Sequence, residues 1–411
     1  MPFLWFIFFL VSGVYAYRHP NFAALPIIAA LPAYVARTRL FGLPTTLLEA
    51  VLLGSFLGFA AARCKNLNKL YRQSPFFYPA LALLAIAAVS TFVAPDFNAA
   101  LGIWRAYFLE PILILPLFAA TLRQEHGRLW LFRLLAAVAV SVSLIAILQA
   151  LGLLPIVAPW QRELRATSIF PFPNAVGLFL GPLIPFFAAL AVYAKQGRLI
   201  FALTAVLSFL GILTSETEAA VGGALLALLL LVFLTGKKLR LAAIAFLILI
   251  TAVFAANTDA RQTLIQKLSF QDWSGTVRRV MWRETVAMLR TRPIFGAGLS
   301  GYPRAVAPFH PDKKVEIFQY PHSVFLNVWS ELGVAGIAVG VWIMWVFCRT
   351  LGLKKRDETR HLRLAAGLAM LALLIHGLVD VPYFKNDLAL LTWFLLILPW
   401  AARQNETKKI I

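Results

Sequence analysis

The stretch "PIFGAGLSGYP" (293–303) contains Gly296, Gly298 and Gly301 at the G-x-G-x-x-G spacing of a dinucleotide-binding turn. That spacing means nucleotide binding only after a buried strand and at the start of a helix, within a βαβ unit. The preceding residues, "RRVMWRETVAMLRTRP", are instead basic with a helical pattern, and Pro303 stands where a phosphate-binding helix would begin. No acidic residue follows about twenty positions on to hold a ribose, since 319–329 reads "QYPHSVFLNVW". An α/β nucleotide-binding fold is therefore disfavoured, and the glycines need another explanation.

The rest of the chain supplies the setting. Of its 411 residues 61% are hydrophobic and 14% charged, with a mean hydropathy of +0.79, whereas a soluble domain carries about 25% charge. Long apolar runs recur along almost the whole length, each able as a helix to cross ~30 Å of hydrocarbon. The composition predicts an all-α polytopic integral membrane protein, a single multi-pass domain over 1–411. The runs fall at 3–17, 22–36, 43–61, 77–94, 102–121, 130–153, 169–193, 199–214, 217–234, 239–256, 322–348, 363–381 and 386–402. That is about 12 (12–13) transmembrane helices, the first two being short. "MPFLWFIFFLVSGVYAY" has no basic leader and no clean small-x-small site, so it reads as a retained helix.

The net charge of +20 suggests nucleic acid only in a soluble protein. In a membrane protein basic residues mark cytoplasmic loops, and 63–72, 123–128, 195–198, 236–240, 349–363 and the 403–409 tail are such loops. The alternate set, 94–98, 214–218 and 380–387, is poor in Lys and Arg and reads as external. The C-terminus is thereby placed in the cytoplasm, and "RTR" (37–39) is the one loop that conflicts with the alternation. Cys64 and Cys348 both lie near cytoplasmic helix ends, so no disulfide is expected.

One connection differs. Residues 257–321 form a large external (periplasmic) loop, too long for the charge rule to govern. It carries ten basic residues (Arg261, Lys267, Arg278, Arg279, Arg283, Arg290, Arg292, Arg304, Lys313 and Lys314) against five acidic ones (Asp259, Asp272, Glu284, Asp312 and Glu316). Topology does not account for this excess, and an anion bound on the external face does. Within the loop, "TVRRVMWRETVAMLR" (276–290) reads as a basic amphipathic helix. At about 100° per residue Arg279, Arg283 and Arg290 share a narrow arc, flanked by Arg278 and Trp282. Val277, Val280, Met281 and Met288 cover the opposite side, which Glu284 interrupts. Such a helix either lies on anionic headgroups or offers guanidinium groups to a phosphate. The two coincide if the anion is the head of a membrane lipid.

Other polar residues are out of place. Arg105 and Glu110 fall inside an apolar run, where a charge must face protein or water. Being five apart they lie on poorly matched faces of an α-helix, so pairing between them is not expected, and a structural ion pair with another helix remains open. His322 starts a helix directly after the basic loop and can accept a proton near neutral pH. Gly333, Gly336 and Gly340 of that helix would let a neighbouring helix approach closely. His376 and Asp380 are four apart, where the carboxylate either orients the histidine for base chemistry or satisfies a buried polar group. Glu216 and Glu218 sit in an external turn. No D-x-D occurs, which argues against a nucleotide-sugar donor held by a divalent metal.

These motifs together resemble the bacterial O-antigen ligase and O-antigen polymerase-like integral membrane proteins. "RATSIFPFPNAVGLFL" (165–180) is similar to the family's Arg followed by Pro-Asn and Gly at a helix entrance. "RRVMWRETVAMLRTRPIFGAGLSGYP" (278–303) resembles its R-x-x-x-W, Pro and G-x-G signature. "HSVFLNVWSELGVAG" (322–336) and "HGLVD" (376–380) resemble its His-to-Glu-Gly run and its late His-Asp element. The resemblance covers roughly 165–385. It gives Gly296 and Gly298 a structural role, as the turn after the basic helix. It implies transfer of a glycan, without metal or other cofactor, from an undecaprenyl-pyrophosphate-linked donor to a hydroxyl of an acceptor glycolipid, glycan or protein. The partners it implies are therefore that donor, the acceptor and membrane lipids, with no nucleic acid. The implied setting is the outer face of the bacterial cytoplasmic (inner) membrane, as in lipopolysaccharide biosynthesis.

By the same resemblance Arg165, Arg278 and Arg283, with Arg279 beside them, would hold the pyrophosphate, and His322 would take the acceptor's proton. His376, Asp380 and Trp282 would support them. One departure is that relatives carry a Ser-Arg where this chain has "TSETEAA" (214–220). A multi-pass transporter of a small anion or solute is the alternative. It would depend on Arg105 and Glu110 in mid-membrane, yet no internal repeat of the kind transporters show is evident.

Overall fold

A computed structural model describes residues 2–40, 43–237, 240–241, 244, 262, 265–267, 269–311, 314–352 and 357–408. The expected span at 239–256 lies almost wholly outside these, as do Asp259, Arg261, Asp312 and Lys313. The described residues are overwhelmingly helical, apart from one short antiparallel hairpin that pairs Arg37–Leu40 with Leu43–Thr46. Six helical stretches are long and apolar enough to cross a membrane: Leu47–Arg72, Phe97–Arg123, Glu125–Ala150, Asn174–Tyr193, Glu218–Thr235 and Val324–Leu351. Shorter apolar helices are Phe3–Arg18, Pro20–Ala29, Phe77–Val93 and Arg198–Thr214. Many Leu and Val side chains on outer helix faces, such as Leu203, Leu210, Leu225 and Val341, are exposed, as a lipid solvent requires.

Two of the expected runs fold differently. Residues 22–36 do not form one helix. Pro20, Pro26 and Pro32 restart the chain as a single α-turn, Leu25–Ala29, and a 3₁₀ segment, Leu31–Val35, because each proline removes a backbone donor and fixes φ. The run at 43–61 begins as a strand and becomes helical only at Leu47. There Thr46 and Glu49 form a reciprocal capping box, with Glu49 N–H on the Thr46 hydroxyl and Thr46 N–H on the Glu49 carboxylate.

Arg105 and Glu110 do pair, at 3.3 Å, against the expectation from their spacing. Residues Trp104–Leu109 form a π-helical turn. A π turn closes hydrogen bonds from i to i+5 and so brings residues five apart toward one face, where an α-helix would separate them. Arg105 also reaches Glu49 at 2.9 Å, and Asn386 donates to the other oxygen of Glu49 at 2.8 Å. These charged and polar groups are thus gathered into one ion-paired cluster inside the bundle.

The glycine turn is structural. Gly296 and Gly298 have φ of +67° and +78°, a region that costs other residues strain. Their backbones press on neighbours: a Cβ on Gly296 would fall 2.3 Å from the Ser330 carbonyl oxygen, and one on Gly298 would fall 2.7 Å from Ala94 Cα. The turn inserts into the helix Val324–Leu351 at Gly333, whose φ of 69° and ψ of −171° break that helix. There Val334 N–H bonds the Ile294 carbonyl at 3.1 Å, and Ser300 N–H donates to buried Glu331 at 2.7 Å. Gly333 therefore admits a loop rather than a neighbouring helix. The three atoms nearest a Cβ on Gly336 all belong to Leu332 of its own helix, and a Cβ on Gly340 would meet nothing within 4 Å. Gly333→Ala would place a Cβ 1.9 Å from the Ile294 oxygen, in a backbone region open essentially to glycine alone. The strain is about 1–3 kcal/mol before the clash is counted, so the variant is expected to melt several degrees lower in detergent, read by tryptophan fluorescence.

The main apolar core runs from Ala16 to Ala402 through most of the helices. A second cluster of Met288, Leu289, Ala297, Tyr302 and Val306 lies beneath the basic helix, Trp273–Thr291.

Candidate active site

The basic helix begins where the Asp272 side chain accepts the Gly275 N–H at 3.1 Å. Its buried face consists of Gly275, Met281, Glu284, Thr285, Met288 and Leu289. Glu284, which interrupts the apolar side in sequence, bonds Nδ1 of His310 at 2.9 Å, while the other ring nitrogen of His310 lies 2.8 Å from the Val315 carbonyl. The apparent flaw in the amphipathic pattern is a polar staple between the helix and the returning loop.

The helix divides its arginines between two surroundings. Arg278 turns inward: its Nε donates to the Val379 carbonyl at 3.0 Å and its Nη1 to Ser274 Oγ at 2.7 Å. Arg279 and Arg283 are exposed. Arg279 reaches only Thr276 of its own helix, at 3.4 Å, and Arg283 makes no hydrogen bond or ion pair among the described residues. Trp282 packs edge-on against Phe270, and its Nε1 donates to the Pro321 carbonyl at 3.0 Å. That bond fixes the helix to the segment leading into His322.

His322 precedes the helix Val324–Leu351 with φ of +46°, a conformation uncommon for residues with a side chain and frequent at functional positions. Val324 N–H bonds the Gly377 carbonyl at 2.8 Å, so the start of this helix is tied to the end of the helix Arg360–His376. His322 Nδ1 thereby stands 3.3 Å from Asp380 Oδ1, within reach but poorly aligned for a hydrogen bond. His376 Nε2 is 3.7 Å from the other oxygen of the same carboxylate. The His322 side chain is 26% exposed and that of Asp380 only 8%. A reacting group can therefore reach the histidine and not the acid behind it. Burial alone would raise the Asp380 carboxyl, but the approach of both histidines outweighs it and holds the group well below the ordinary carboxylate range.

Arg165 joins from the other side. Its Nε and Nη2 both donate to the Ser215 carbonyl at 3.2 Å, and Nη2 also reaches Asn174 Oδ1 at 3.2 Å. Asn174 Nδ2 donates in turn to Asp380 Oδ2 at 3.3 Å. The fold thus links Arg165, Asn174, Asp380, His322 and His376 in one chain of contacts, and Arg278 holds the backbone of the neighbouring Val379. Arg279 and Arg283 stand outside this chain, on the exposed side of the same helix.

Two members were missed from sequence. Asn174 lay within the Pro-Asn motif without a role. Lys385 counted only as a lone charge in an external turn. Its ammonium lies 3.9 Å over the Phe172 ring, is buried, and makes no hydrogen bond among the described residues. Burial brings it down to about 8, against the pull of Asp387 and Asp380.

Residues 203–341 match the family model described as O-antigen ligase, about a third of the chain. The match supports an O-antigen ligase/polymerase-like family, and with it an enzyme of glycan transfer in general. Together with the apolar helices, it points to a multi-pass protein of the bacterial inner membrane. The matched segment contains Arg278, Trp282, Arg283 and His322, while Arg165, His376 and Asp380 lie outside it. No curated protein matches the chain.

Proposed function

We propose that the protein transfers a glycan from an undecaprenyl-pyrophosphate-linked donor to an acceptor hydroxyl at the outer face of the cytoplasmic membrane. The observation that carries this reading is the meeting of two guanidinium groups, Arg165 and Arg278, with a half-exposed histidine backed by a buried carboxylate. In this reading His322 Nε2 takes the proton of the acceptor hydroxyl while Asp380 holds the ring and favours the imidazolium. The hydroxyl oxygen attacks the anomeric carbon. The bond from that carbon to the pyrophosphate oxygen breaks, and the electron pair leaves with undecaprenyl pyrophosphate. In this reading Arg165 and Arg278 neutralise the charge that builds on it, with exposed Arg283 and Arg279 gathering the anion from the membrane surface. The 257–321 loop would be periplasmic and the C-terminus cytoplasmic.

A transporter built around Arg105 and Glu110 fits less well, because Arg105 is already paired with both Glu110 and Glu49. In this proposal the arginines do the charge neutralisation that a divalent ion performs elsewhere. Purified wild-type protein should therefore transfer radiolabelled glycan from undecaprenyl pyrophosphate equally with and without EDTA. With acceptors for both ligation and polymerisation supplied, no product from well-folded protein would overturn the donor assignment. Loss of product in EDTA alone would overturn metal independence.

A further inference from the structure

At the far end of the bundle lies a second, separate basic site. The helix Leu47–Arg63 carries Glu49, which is bonded to Asn386, in its first turn and ends at Arg63, roughly 21 Å further along at 1.5 Å per residue. A cavity of about 490 Å³ opens there, lined by Arg63, Lys69 and Arg123 with Asn21, Gln73 and Gln404 among the amides. None of its lining residues is acidic. Arg123 lies 4.8 Å over the Trp400 ring, and its Nε and Nη2 are buried with no hydrogen-bond partner among the described residues. Buried guanidinium N–H groups left without acceptors are costly, and they point to an acceptor outside the described residues. The positive-inside pattern explains basic loops on this side but does not require a cavity or buried, unpaired donors.

A second chamber adjoins the first. It holds about 250 Å³ and is almost wholly apolar, lined by Leu70, Phe77, Leu81, Leu84, Pro116 and Ala119 among others. Its one nearby phenol is satisfied, since Tyr71 donates to the Leu113 carbonyl at 2.6 Å. Leu70 lines both chambers, Ala119 of one is followed in the chain by Ala120 of the other, and Phe56 and Phe59 stand one helical turn apart. A free phosphate would use only the basic chamber. A ligand that fills both has a phosphate head and a hydrocarbon tail.

From these two adjoining chambers we infer a binding site for an anionic glycerophospholipid, its phosphate held by Arg63, Lys69 and Arg123 and an acyl chain lying against Leu70 and Ala119. Guanidinium groups match phosphate oxygens in bidentate geometry, and basic pockets between helices are the usual seats of anionic headgroups.

The test uses the full-length protein in detergent, with lipid retention read by native mass spectrometry and stability by thermal unfolding. Phosphatidylglycerol should be retained about tenfold more than phosphatidylcholine, the scale of one or two charge-assisted hydrogen bonds. It should also raise the melting temperature. Arg123→Gln with Lys69→Gln should bring retention of phosphatidylglycerol down to the phosphatidylcholine level. Ala119→Trp, which fills the apolar chamber and leaves the arginines in place, should reduce retention of both lipids. If Arg123→Gln does not fold, Lys69→Gln alone and Ala119→Trp decide. Equal retention of the two lipids by wild type, or undiminished retention by the variants, would overturn the inference. Inorganic phosphate protecting against unfolding as well as phosphatidylglycerol does would assign the site to a soluble anion and overturn it equally.

Discussion

His322→Ala protein is expected to transfer glycan at least about a hundredfold more slowly than wild type, and up to about ten-thousandfold, the range over which a positioned general base accelerates a reaction. The loss should appear in kcat, because the histidine would act on the proton only as the acceptor oxygen attacks. Its backbone conformation permits a sharper control. The left-handed region tolerates Asn better than most residues, so His322→Asn should keep the φ of +46° and the link from Val324 to Gly377 while lacking a base. Both variants should retain the wild-type melting temperature and elution volume. A His322→Asn protein of wild-type activity would remove His322 from the chemistry and leave it a helix-entry residue.

The second large effect belongs to Arg278. Arg278→Ala should reduce transfer by about 10²–10³-fold, the scale seen when one preorganised donor to a developing negative charge is removed. Arg278→Lys should recover only part of it, since an ammonium cannot hold the Val379 carbonyl and a phosphate oxygen with the same planar fork. Arg279→Ala is the informative neighbour. Its guanidinium bonds only its own helix and is exposed, so its loss should cost less than about tenfold, mostly in KM and more at low salt. Equal losses from Arg278→Ala and Arg279→Ala would mean that the helix presents a different face to the donor.

How much of this was legible in the sequence depended on which physical rule each residue obeyed. His322, His376 and Asp380 could be singled out because polar residues at the edges of apolar runs are conspicuous, and Arg278 because the basic excess of the long loop falls on one helix. The i, i+4 spacing of the last pair places both on one face whatever surrounds them. Their convergence was not legible. It rests on the 2.8 Å bond from Val324 to Gly377 and on the Asn174 bridge to Arg165, contacts between segments some 50 and 200 residues apart. Glu284 was visible as an anomaly in an apolar stripe, but its partner His310 lies across a turn that no periodicity describes. Lys385 was passed over because the charge of a loop was read for topology alone.

The span expected at 22–36 went astray for a local reason: three prolines within thirteen residues outweigh hydropathy. Gly340 went astray for the opposite one, since a small residue permits close approach without requiring it. Arg105 and Glu110 were misread because the α-helical period was assumed through a stretch that does not keep it.

That stretch has a consequence for the whole segment Phe97–Arg123. A π turn amounts to one residue more than an α-helix would hold in the same length, and each residue of an α-helix advances the phase by about 100°. The turn at 104–109 therefore sets the azimuth of everything after it. With one residue fewer, the half that ends at Arg123 would swing by about a quarter turn. The guanidinium would leave the Trp400 ring even though no contact near Arg123 had itself been altered. The two ends of this segment, one beside the glycine turn and one at the basic cavity, thus share a single rotational setting, and the extra residue between them works as a phase shifter.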